Sequence, residues 1–149
     1  MRYRFAGEKP VIAIVDDDYD DQLIIQEAFS SNPFPVKVIC FSRPTDLENH
    51  LQDGSRNGEF PNLIILDLYN DGFTTLECIS RIKASPAYGA IPIVMMSGSS
   101  DQSKVWQFYR VGGASYIPKP ISFEEWQRSL SVLCEYWFDI VLLPEYDKK

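Results

Sequence analysis

Val11-Ile-Ala-Ile-Val15, followed at once by Asp16-Asp17-Asp18, is the stretch whose reading decides the fold. Five apolar residues in a row without polar alternation suit a strand buried on both faces, and the acids that follow mark where burial ends. The same construction returns downstream. Leu63 to Leu66 runs into Asp67, Ile91 to Met96 into Ser97, and Ala114 to Ile117 leads to Lys119-Pro120. Val36 to Phe41 is the remaining apolar run. Amphipathic stretches separate them, at Asp20 to Ser30, Pro44 to Gln52, Thr74 to Ala84, Asp101 to Val111 and Ser122 to Leu143. Asp20 and Asp21 load the first helix start with negative charge, Asp101 and Ser122 suit N-caps, and Gly112-Gly113 offer a left-handed stop after the fourth helix.

Strand and helix alternating five times imply the α/β class, a parallel sheet with helices on both faces. Right-handed crossovers and short connections make the expected topology a doubly wound, five-stranded, flavodoxin-like (βα)5 layer with strand order 2-1-3-4-5. At 149 residues the chain fits one domain spanning 1–149, with its core at about 10–141 and short tails at either end. Asp53 to Pro61, rich in turn formers, reads as a surface loop before the third strand.

Composition narrows the function. A net charge of −7 disfavours direct nucleic-acid binding, which rewards Lys and Arg clusters. Cys40, Cys78 and Cys134 sit in apolar contexts without paired spacing, as reduced thiols do. The first ten residues lack an apolar core, and no run approaches the roughly 18 apolar residues of a membrane span, so a cytoplasmic location is expected.

Chemistry follows from the strand ends. In an open parallel sheet they border one crevice, so Asp16, Asp17, Asp67, Ser97 and Lys119 should converge there. Three carboxylates in one pocket repel one another unless a hard cation enters, and an all-oxygen set suits Mg2+. Such a cation activates phosphoryl transfer, with Asp67 as the nucleophilic carboxylate and Lys119 and Ser97 as donors to the phosphoryl oxygens.

With these residues in place, the chain resembles the receiver domain of two-component response regulators. The resemblance is carried by Val15-Asp-Asp-Asp18, Ile65-Leu-Asp-Leu68, Met95-Met-Ser-Gly98 and Gly113 to Pro120, with Ser97 and Lys119 lying 30 and 52 residues after Asp67. It implies that Asp67 accepts a phosphoryl group from a sensor histidine kinase, and that Asp16, Asp17, Asp67 and the Tyr69 main-chain carbonyl hold Mg2+. It further implies that Ser97 and Lys119 respond to the phosphoryl group, that Tyr116 changes rotamer as the switch, and that Lys119-Pro120 is a cis peptide. Signalling would pass through a surface around helix four, strand five and helix five to a downstream protein target or phosphotransfer protein. The protein would be a phosphoacceptor in a phosphorelay rather than an enzyme. The segment from Asn70 to Thr75 departs from the family, with Asp71 where proline is usual and Thr75 where glycine is usual. Tyr69 and Ser99 stand two residues past pocket residues, where family members tune phosphoryl lifetime, and a bulky Tyr69 would shield an acyl phosphate from water.

Tyr136 to Pro144 is similar to the ending of single-domain regulators partnered with phytochrome-type sensor kinases. At 100° per residue, Phe123, Trp126, Leu130, Leu133, Trp137 and Val141 form a core-facing stripe. Tyr136, Phe138, Leu142 and Leu143 fall off it and suit a homodimer interface.

Rival chemistries lack their residues. A haloacid-dehalogenase-type phosphatase needs a strand-end acidic pair after its lysine, and a calcium loop needs a glycine directly after the Asp16-x-Asp18-x-Asp20 spacing, where this chain has Asp21. His50 is the only histidine, which excludes a self-contained phosphohistidine relay. The remaining alternative is a receiver-like docking module that is never phosphorylated.

Overall fold

The computed structural model describes residues 8–57, 60–67 and 73–145. Its elements are β1 (Val11–Asp16), α1 (Tyr19–Ser30), β2 (Lys37–Phe41), α2 (Pro44–Asn57), β3 (Leu63–Asp67), α3 (Phe73–Ala84), β4 (Ile93–Ser97), α4 (Gln102–Arg110), β5 (Ser115–Pro118) and α5 (Phe123–Glu135), followed by a π-helical turn, Tyr136–Ile140. All neighbouring strands are parallel, in the order β2-β1-β3-β4-β5. This is the expected flavodoxin-like topology.

The unbroken apolar strands serve two cores at once. Side chains alternate across a strand, so Ile12, Ile14, Leu63, Ile65, Val94 and Met96 face one layer with Ile25 and Phe29 of α1 and Trp126, Leu130 and Leu133 of α5. Ala13, Val15, Ile64, Leu66, Ile93 and Met95 face the other layer, with Leu47, Leu51, Cys78, Ile79, Ile82 and Phe108 from α2, α3 and α4. A polar residue within β1, β3 or β4 would be buried whichever way it pointed. Polar groups therefore wait for the strand ends.

Caps fix where the helices start. The Asp18 carboxylate accepts the N–H groups of Asp20 and Asp21 at 2.8 and 3.3 Å, Asp101 accepts that of Ser103, and the Ser122 hydroxyl accepts that of Glu125. Gly112 adopts φ 103°, the left-handed conformation expected of a stop after α4.

Three local expectations change. Helix α2 continues to Asn57 through residues read as a loop, and Lys119–Pro120 is trans, as every described peptide bond is. The intrinsic preference of X-Pro bonds is also trans. The last helix leaves the α period at Glu135, and the turn that follows is wider, with the Val141 N–H donating to the carbonyl of Tyr136 five residues back. Within that turn Phe138 lies in the core at 1% exposure, four residues after the fully buried Cys134 and 5.9 Å from the ring of Phe34, instead of on an interface. Tyr136 and Ile140 stay 47% and 60% exposed. Among the described residues no helix is long and apolar enough to cross a membrane.

The burial of Phe138 has a measurable consequence. Phe138→Ala is expected to cost about 3–5 kcal/mol of stability in urea unfolding, and Tyr136→Ala no more than about 0.5 kcal/mol. Equal losses would mean that Phe138 is no more buried than Tyr136.

Candidate functional site

Register builds the site. Asp16 and Asp67 end adjacent strands and pair directly across β1 and β3. Ser97 ends β4 beside Pro118 of β5, and the Lys119 N–H donates to the Ser97 carbonyl at 2.8 Å. Three of the strand tips therefore meet, and β5 delivers the lysine over them.

Asp16 and Asp67 are fully buried, and Ser97 is 3% exposed. The Lys119 Nζ lies 2.8 Å from Asp67 Oδ1 and 2.8 Å from Asp21 Oδ2. Asp16 Oδ1 accepts the Asp18 N–H at 2.9 Å, and the Gln22 side-chain amide donates to the Asp16 main-chain carbonyl at 2.7 Å, anchoring the strand tip to α1. Around Ser97, its hydroxyl accepts the Ser99 N–H at 3.1 Å. The Tyr116 hydroxyl donates to the Ser99 carbonyl at 2.9 Å.

The carboxylate cluster differs from the expected set. Asp16, Asp21 and Asp67 each offer an oxygen within 4.8 Å of the others. Asp17 is exposed and stands outside this trio, while Tyr69 lies outside the described residues, as do Asn70 to Gly72. Thr75, at the end of the unusual segment, is buried in α3. Asp21 was legible only as a charge at a helix start. Its role here depends on α1 beginning one turn over the crevice, which the Asp18 cap settles.

Electrostatics follow the burial. Desolvation, then the neighbouring Asp67 charge working against the Asp18 N–H bond, pushes Asp16 up to about 8. Asp67 is also raised, chiefly by burial, although Lys119 opposes the rise. Burial alone would lower Lys119, but Asp21 and Asp67 outweigh it and raise its pKa. Asp16 Oδ2 and Asp67 Oδ2 are buried with no donor directed at them. Two buried carboxylate oxygens facing one another need either a shared proton or a hard cation, so an all-carboxylate donor set fits a divalent ion bound through oxygen.

Residues 12–131 match the response regulator receiver domain. The chain belongs to that family. This receiver is 27% identical over 128 residues to the probable methanogenesis regulatory protein FilR2 of Methanothrix harundinacea, covering 85% of this chain and 83% of that protein. It is 25% identical over 136 residues to response regulator Rcp1 of Synechocystis, covering 90% and 92%. The solved structure of the phosphorylated cyanobacterial phytochrome response regulator RcpA superposes with a TM-score of 0.81 at 25% identity, covering 93% of this chain and 100% of that one. A structure of Rcp1 itself is of its Mn(2+)-bound form, with a TM-score of 0.76 at 25% identity, covering 91% and 99%.

The raised carboxyl makes a pH test. The Asp16 pKa rises on folding from the ordinary 3.8 to about 8, so the folded receiver binds a proton that the unfolded chain has lost. Stability of the metal-free protein is therefore expected to fall as the pH climbs from about 4 to about 8, read as the urea midpoint in EDTA. A midpoint that rises across that window would mean that Asp16 is ionised in the fold throughout.

Proposed function

We propose that this receiver accepts a phosphoryl group on Asp67 from a partner histidine kinase, in a Mg2+-dependent reaction, and signals through protein contacts that change with phosphorylation. The observation that carries the proposal is the Lys119 ammonium, 2.8 Å from the buried Asp67 carboxylate and beside a second buried carboxylate, Asp16. A structural salt bridge has no need of that second acid, whose Oδ2 receives no donor.

An Asp67 oxygen attacks phosphorus, the P–N bond to the kinase imidazole breaks, and the bond's electron pair leaves with that nitrogen. An acyl phosphate results. Magnesium, held by Asp16 and Asp67 with Asp17 and the Tyr69 carbonyl as further ligands, would neutralise charge on the transferring group. Lys119 exchanges its bond to Asp67 for one to a phosphoryl oxygen, and the Ser97 hydroxyl turns from its Ser99 contact to donate to another. Tyr116, joined to the Ser99 carbonyl, follows as the switch residue. The rearranged surface is that of α4, β5 and α5.

The likeness to Rcp1 and RcpA supports a phytochrome-type sensor kinase as the donor, and a downstream protein or phosphotransfer protein as the receiver of the signal. We assign the chain as a single receiver domain acting in the cytoplasm, a phosphoacceptor and not an enzyme with an external substrate. Val132, Tyr136 and Ile140 recur every four residues and stay exposed along α5 and the π turn, which supports a symmetric homodimer as the use of that face. Ile140→Asp is expected to leave a monomer by light scattering at concentrations where the wild type is dimeric. An unchanged mass would remove this face from the interface.

Complete burial of Asp67 is the one observation that favours the second reading, a docking module that is never phosphorylated. Incubation with acetyl phosphate and Mg2+ separates the two readings. The intact mass is expected to rise by one phosphoryl group, with no rise for Asp67→Asn or in EDTA. No gain in wild type, together with a flat beryllofluoride titration, would establish the docking module instead.

A further inference from the structure

Strand β5 is an edge of the sheet, and an edge strand presents backbone donors that invite another strand. On the outer side of β5 the donors are accounted for. The Tyr116 N–H is taken by the hydroxyl of Tyr109, which accepts it at 3.0 Å. Two residues on, where the same side would next present a donor, stands Pro118, which has no N–H. Tyr109 reaches β5 from the last turn of α4. Its neighbour Phe108 is 1% exposed and meets the Tyr116 ring edge-on, with centroids 5.7 Å apart.

From Tyr116 the contacts continue to the pocket. Its hydroxyl donates to the Ser99 carbonyl, and the Ser99 N–H donates to the Ser97 hydroxyl. Three hydrogen bonds thus run without a gap from Ser97 through Ser99 and Tyr116 to Tyr109. We propose that Tyr109 is a positioning residue of the switch, whose hydroxyl ties the last turn of α4 to the β5 backbone so that a rearrangement at Ser97 and Tyr116 reaches α4. The inference rests on the phosphorylation proposed above and adds the link to the helix. A Ser97 hydroxyl that turns toward a phosphoryl oxygen loosens its hold on the Ser99 N–H. The Ser99 carbonyl, and the Tyr116 hydroxyl bonded to it, then shift. With the Tyr116 N–H held by Tyr109, that shift is carried into α4 instead of ending at a free edge. A tyrosine that only guarded the edge would have no part in such transmission.

Tyr109→Phe keeps the ring beside Phe108 and removes only the hydroxyl. Amide resonances and hydrogen exchange are compared in wild type and variant with Mg2+, before and after adding beryllofluoride, and each protein is also weighed after acetyl phosphate treatment. The Tyr116 amide is expected to exchange up to about tenfold faster in the variant, as losing one net hydrogen bond allows. Beryllofluoride should still move the resonances of Ser97 and β5, and acetyl phosphate should still add one phosphoryl group. The changes from Val105 to Arg110 should fall to less than half. Retention of the full α4 response in the variant would overturn the proposal, as would a Tyr116 amide equally protected in both proteins. A wild type without any beryllofluoride response, but with a Tyr116 amide that still depends on Tyr109, would refute the switch and reduce Tyr109 to an edge guard.

Discussion

One ammonium faces three carboxylates at the end of the sheet, and the site is organised around that imbalance. Lys119 reaches Asp67 and Asp21 at 2.8 Å each, while Asp16 sits fully buried beside them with an oxygen that receives no donor. A single positive charge cannot neutralise three acids in a medium where burying an unpaired charge costs several kcal/mol. The arrangement therefore calls for a proton or a cation, and its stability is expected to fall as the pH removes the proton. Buried acids set where two strand tips meet are a concession expected where a site has chemistry to perform.

The rest of the fold holds that imbalance in place. Strands buried on both faces cannot accept a polar residue along their length, so carboxylates appear only at the tips, and parallel register sets Asp16 directly beside Asp67. Helix α1 contributes twice. Its Gln22 fastens the backbone of Asp16, and its first turn carries Asp21 to the lysine. Lys119 directly follows strand β5, which supplies, three residues earlier, the tyrosine that touches the loop after Ser97. The lysine paired with Asp67 and the tyrosine bonded to the loop after Ser97 therefore lie three residues apart in the chain, a short route for the proposed switch to follow from the site to the α4–β5 surface.

Much of this was legible in the sequence, for a physical reason that also marks where legibility ends. The strands were visible because burial on both faces erases polar alternation, and Asp16, Asp67, Ser97 and Lys119 because each stands where an apolar run stops. The topology and the family follow from those residues and their spacing. Asp21 was hidden, because its neighbourhood is created by how α1 docks, and its own sequence context is that of any acid at a helix start. The C-terminal end was misread in part. The stripe drawn from Phe123 to Val141 left Phe138 outside the core, yet it is buried inside the wider turn, four residues after the fully buried Cys134. Residues from Asp53 to Asn57 look like turn formers yet continue α2, whose hold on the sheet through Leu47 and Leu51 overrides weak local propensity.

The most direct test counts protons. Calorimetric titration of Mg2+ into the protein at pH 7, repeated in buffers of different ionisation enthalpy, gives the number of protons released per ion bound. With Asp16 held up to about 8 before the ion enters, release of close to one proton is expected. Binding without proton release would show that all three carboxylates are already ionised in the folded protein, with Lys119 sufficient to hold them, and would contradict the imbalance on which this reading of the site depends.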